Sequence, residues 1–139
     1  MQYANIGKRF FAFLFDLIIW FVLAVIVYAL LSLLFPVLFT SVTTEVSNEL
    51  GSLVLIIVGW IYYSLSHSSP RKATLGKRAF GLTVSDLNEN KISFARATAR
   101  YFAFVFFTGL VLVDFLPVPL TETSQALHDL ITGTLVVEK

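Results

Sequence analysis

The chain has 139 residues, 57% of them hydrophobic and 14% charged, with 14 phenylalanines and a net charge of +1; its mean hydropathy is +0.81. A soluble domain carries roughly 45–50% apolar and about 25% charged residues, so an integral membrane chain of one domain or less is expected. The lack of cysteine excludes a disulfide framework and a thiolate metal site.

Residues 1–7 form a short interfacial lead-in to Lys8-Arg9. Helix 1 is expected over residues 9–35, ending where Pro36 cannot continue it. Residues 17–35 hold no charge, and at about 1.5 Å per residue they nearly cross a hydrocarbon core of roughly 30 Å. The apolar run is too long for a signal-peptide core and reads as a retained anchor. Asp16 lies inside it, where an ionised carboxylate costs about 2.5–3.5 kcal/mol at mid-helix. It should therefore face protein or trapped water. Arg9 sits on the same face about two turns away, roughly 10 Å, too far to pair directly. Asp16 needs a partner from elsewhere, with Arg100 the first choice and Arg78 and Arg96 as alternatives. An arginine fork suits a carboxylate better than a lysine does.

Residues 36–49 form a loop rich in β-branched and hydroxyl residues, and helix 2 follows over 50–66. Gly51 and Gly59 permit close approach of a neighbouring backbone. Trp60, Tyr62 and Tyr63 suit an aromatic interface belt. The connector, residues 67–100, holds Arg71, Lys72, Lys77, Arg78, Lys91, Arg96 and Arg100 against Asp86 and Glu89. With Lys8 and Arg9, nine of the ten basic residues flank one side of the two helices. The positive-inside rule then puts the N-terminus and connector in the cytoplasm of a bacterial-type membrane, with the 36–49 loop outside.

Within the connector, residues 73–80 suit a short amphipathic helix on the membrane surface, and 82–86 with 91–94 read as a hairpin. Ser93 is placed to cap a helix starting near residue 95. Arg71, Lys72, Lys77 and Arg78 are candidates for anionic lipid head groups, at about 1 kcal/mol each near the surface; plain topogenic charge is the competing reading. Gly76-Lys77-Arg78 lacks the earlier glycine and the following hydroxyl of a phosphate loop, so no nucleotide site is expected.

The third apolar block, residues 101–120, is interrupted by Asp114 and broken by Pro117 and Pro119. In the tail, 121–139, a short helix over 125–132 stops at Gly133 and a strand follows over 134–138. By length the block is a third span, which would carry the tail outside. Yet the strand needs a partner, and residues 82–86 offer the nearest one. The favoured reading is a re-entrant block whose tail rejoins the connector, bringing Asp129 near Arg78 or Arg9. The expected fold is an all-α membrane protein with two spans, a third spanning or re-entrant helix and a small β element formed by the connector hairpin and the C-terminal strand.

Arg9 and Asp16 on the first helix, the segment TLGKRAFGLTVSD, Arg100 at the start of the third block and the tail QALHDLITGTLVV together resemble the RDD family of small membrane proteins. The resemblance covers nearly the whole chain. The family is named for one arginine and two aspartates: Arg9 and Asp16 match the first two, and the third is Asp129 or Asp86, with Asp129 favoured. It implies a multi-helix membrane domain, for some members of which ion transport has been proposed. His128 beside Asp129 can be a proton relay or a simple hydrogen-bond partner.

Neither a metal cage nor a nucleophile–base pair is visible, so no cofactor, metal or enzyme activity is expected. The connector's aromatics, Phe80 and Phe94, fit packing better than nucleic-acid reading. Two functions follow. The favoured one is a cation or proton transporter, or a component of one, using intramembrane acids and needing homo-oligomerisation or another membrane protein. The other is a non-catalytic membrane scaffold or interaction module whose cytoplasmic connector meets lipid head groups.

Overall fold

A computed structural model describes residues 2–40, 43–108 and 113–138. Helix α1 (Ile6–Leu34) opens at Asn5, whose side-chain oxygen accepts the Gly7 N–H at 2.8 Å. Its buried residues are Arg9, Ala12, Asp16 and Ala24, which recur along one stripe. Phe10, Phe11, Phe15, Ile18 and Phe21 point outward on the other faces. Polar inside and apolar outside is the reverse of a soluble helix and suits a lipid solvent.

After the short α2 (Pro36–Thr40), α3 (Thr44–Ser68) starts earlier than the expected residue 50. Thr43 supplies an N-cap and Glu45 sits in the first turn, where a carboxylate favours the helix dipole. Both α1 and α3 are long and apolar enough to cross a bilayer. They meet at Gly59, where a Cβ would fall 2.8 Å from the Trp20 ring. Gly51 has no such role, since a Cβ there would make ordinary contact with Tyr28 at 3.7 Å. The Trp20 indole donates to the Leu55 carbonyl at 2.8 Å, binding the two helices further.

The expected aromatic belt turns inward. Tyr63 is buried, Trp60 donates to the Thr98 hydroxyl at 3.0 Å and Tyr62 bonds to Asp16. The polar tips of Trp60 and Tyr62 are met by protein partners, which outcompete the interface.

Helix α4 (Leu75–Ala79) begins at Thr74, whose hydroxyl accepts the Lys77 N–H. It docks against α1 rather than merely resting on a membrane surface. Glycine makes this possible: a Cβ on Gly76 would lie 2.7 Å from Asp16 Cγ and clash with the Ala12 carbonyl.

Strand β1 (Leu82–Asp86) pairs antiparallel with β2 (Thr134–Glu138), Val84 opposite Val136. Residues 91–94 are not the second arm of a hairpin. Asp86 accepts the Asn88 and Asn90 N–H groups at 2.9 and 2.7 Å, which closes a turn. Ser93 then caps α5 (Phe94–Thr108) through the Arg96 N–H at 3.2 Å. The N-terminal segment lies along the free edge of β2, with the Ala4 N–H donating to the Val136 carbonyl at 3.1 Å. Ala4, Ala12, Leu82, Val84, Ile92, Ala97 and Val136 form the apolar core beneath the sheet.

At 15 residues, α5 is about 22 Å long and shorter than a bilayer core. The expectation of one helix through residue 116 falls partly on 109–112, outside the described residues. A 3-10 turn (Val113–Phe115) follows, then α6 (Leu127–Thr132), stopped at Gly133, and β2. The tail thus returns to the connector, as the strand-partner argument required, and a simple third span is overturned.

Candidate functional site

The first surprise is the environment of Asp16. It is fully buried and accepts three hydrogen bonds, from the Tyr62 hydroxyl at 2.7 Å, the Thr74 hydroxyl at 2.5 Å and the Gly76 N–H at 2.8 Å. The expected arginine partner is absent among the described residues: Arg100 pairs elsewhere, Arg96 lies on the surface and Arg78 is exposed. Neutral donors satisfy a carboxylate without burying a second ion, and the close approach of α4 allowed by Gly76 brings two of them.

The second acid, Asp129, is the centre of the ionic cluster. One of its oxygens pairs with Arg9 of α1 and accepts the Ala126 N–H at 3.0 Å. The other lies 2.5 Å from Arg100 of α5. Burial alone would push this carboxyl up, but Arg100, His128 and Arg9 outweigh it and hold Asp129 well below the usual carboxylate range. Arg9 also donates to the carbonyl of Ser124, a residue with a left-handed φ of 50°. Arg100 reaches the Thr134 hydroxyl at 2.5 Å at the head of β2. Asp129 is therefore the acid that completes the cluster with Arg9, as favoured from the sequence.

His128 lies between two acids. Its Nδ1 is 2.6 Å from Asp114, which also accepts the His128 backbone N–H at 3.0 Å; its Nε2 is 3.1 Å from both Asp129 and Arg100. Asp114 is fully buried and belongs to the site, although in the sequence it shows only as an interruption of the third apolar block. Asp86 stands apart as a turn cap, with Arg96 4.0 Å away in an exposed pair worth little.

The four head-group candidates divide. Arg71, Lys72 and Arg78 line a surface groove of about 510 Å³ with Pro70, Gly81 and Thr83. Lys77 turns inward to share a cavity wall with Arg9 and Arg100. Burial pushes its ammonium down, with Arg100 and Arg9 adding to the shift, and despite Asp16 it falls to about 8. Thr74, Gly76, Tyr62 and Thr134 escaped sequence reasoning as site residues. The hydroxyl just before the Gly76-Lys77-Arg78 turn was the one available signal.

The model of the RDD family matches residues 3–133. The Bacillus subtilis protein YxaI, described as uncharacterized, is 32% identical over 87 residues, 63% of this chain and 57% of that protein. The chain thus spans little more than half the length of that relative. A second Bacillus subtilis relative, the uncharacterized membrane protein YteJ, is 29% identical over 143 residues, covering 99% of this chain and 82% of its own. No solved structure matches.

Proposed function

The chain belongs to the RDD family, and from that premise we propose that it is a non-catalytic membrane scaffold whose basic connector takes anionic lipid head groups. The observation that carries this reading is the groove of Arg71, Lys72 and Arg78. Phosphate esters match such a set, each base contributing about 1 kcal/mol near an anionic surface. Lys72 is fixed in the groove by its ammonium's bond to the Glu89 carbonyl at 2.8 Å. The acids lend further support: Asp16 is saturated by three donors and Asp129 by two arginines, which suits a brace better than a carrier. The positive-inside rule assigns the connector and the N-terminus to the cytoplasm.

The test is thermal unfolding in mixed micelles of phosphatidylglycerol or phosphatidylcholine. The anionic phosphatidylglycerol should stabilise the natural chain selectively, and Arg71→Gln with Arg78→Gln should abolish the difference. Equal effects of the two lipids, or selectivity retained in the double variant, would overturn the head-group reading.

A second reading, cation or proton transport by an oligomer, is favoured by His128 bridging Asp114 and Asp129, a geometry in which one ring can pass a proton between carboxylates. Flux in proteoliposomes that disappears in folded Asp16→Asn protein would establish it; no flux under any gradient would leave the scaffold.

A further inference from the structure

Beside the Arg9–Asp129–Arg100 brace lies a small, partly open cavity of about 50 Å³. The polar groups on its wall are Arg9, Lys77, Arg100, His67, His128 and Tyr63, and among the described residues no carboxylate lines it. Phe13, Tyr101 and Phe104 complete the lining with aromatic surface. Two wall atoms are buried without a hydrogen-bond partner among the described residues, the Tyr63 hydroxyl and His67 Nε2. A buried polar atom left unmatched costs roughly 1–3 kcal/mol, so two of them on one small cavity suit it to a polar occupant.

The geometry points to a binding site for one small monovalent inorganic anion, of halide size, held between Lys77, the Tyr63 hydroxyl, His67 and the two arginines. Volume limits the occupant: one probe sphere needs about 10–15 Å³, so the cavity admits a halide with a water or two and excludes a lipid head group. Charge selects its sign. Arg9 and Arg100 pair with Asp129, and Lys77, with Asp16 in its neighbourhood, adds a third cation to the lining, while those acids stand outside it. A lining whose charged groups are all cationic favours an anion over a cation. Burial pushes the Lys77 ammonium down, Asp16 offsets this only in part, and Arg100 and Arg9 add to the shift, which an anion beside Lys77 would oppose. A cation has no carboxylate to meet there, whereas an anion meets N–H and O–H donors on several sides.

The experiment uses the full chain purified in detergent in sodium isethionate. The line width of the chloride NMR signal is followed as protein is added, and then as bromide is titrated in. Expected are protein-dependent broadening that saturates, reversal by bromide, and at least a tenfold weakening in Lys77→Met. Tyr63→Phe removes one oxygen and nothing else, so it serves where Lys77→Met does not fold; it should weaken chloride severalfold. Absence of broadening by the natural chain, broadening that bromide leaves in place, or undiminished chloride binding in folded Lys77→Met or Tyr63→Phe would overturn the site.

Discussion

At the scale of single residues, Asp129 does the most to join the chain. Replacing it with asparagine leaves Arg9 and Arg100 buried without their shared counter-charge, a situation that typically costs about 3–5 kcal/mol. Denaturant unfolding of Asp129→Asn in detergent should register a loss of that order; one below about 1 kcal/mol would mean that the brace is dispensable. The pH dependence follows from the same contact. Its folded-state pKa is depressed, so its contribution is present above the ordinary carboxylate value of about 4 and fades as the pH falls through that value toward the lower native one. Lys77 behaves differently. Its folded value, about 8, lies below the unfolded one, so the unfolded state binds more protons between them. In halide-free buffer, stability should therefore rise from about pH 8 to about pH 10.4, and Lys77→Met should remove that rise. Gly76→Ala would drive a methyl into Asp16 and the Ala12 carbonyl, with overpacking costs of about 1–3 kcal/mol and displacement of α4.

At the scale of elements, the sheet is the joint on which the site depends. Leu82 is fully buried between β1 and the core, and Leu82→Ala should cost about 2–5 kcal/mol in the same unfolding experiment. This joint was legible in the sequence, because a β-branched tail too short to span had to find a strand and only residues 82–86 were within reach. The pairing of Asp129 with Arg9 was legible for a related reason: once the tail returned, the acid of its short helix had the base of α1 beside it. Asp16 was not legible. Charge–charge pairing leaves a sign pattern along a sequence, whereas a tyrosine hydroxyl, a threonine hydroxyl and a glycine amide leave none, and Gly76 brings two of them by lacking a side chain. The start of α3 was missed because Thr43 and Glu45 look like loop residues until one caps the helix and the other meets its dipole. The supposed hairpin failed because the amides of Asn88 and Asn90 found Asp86, which left residues 91–94 free to lead into a helix.

At the scale of the whole molecule, the positive charge lies at the end where N-terminus, connector and tail meet. The absence of cysteine makes any introduced thiol unique. Asn48→Cys in the 36–49 loop and α3 region should react with an impermeant reagent in intact cells, while Asn88→Cys should remain protected; the inverse pattern would turn the protein over in the membrane. The span of the Arg9–Asp129 contact has a temporal side too. The two residues are 120 positions apart, and at about 5–20 residues per second a ribosome needs roughly 6–24 s to make the second after the first. For that interval α1 carries Arg9 with its carboxylate still unmade, while Asp16 waits for Thr74 and Gly76. The nascent helix must meanwhile shelter a cation and an acid in water, against the translocon or on a chaperone. Late closure of a long loop sets the pace of maturation, so slowing the synthesis of the tail should prolong the chain's exposure to quality-control proteases more than slowing the synthesis of α1.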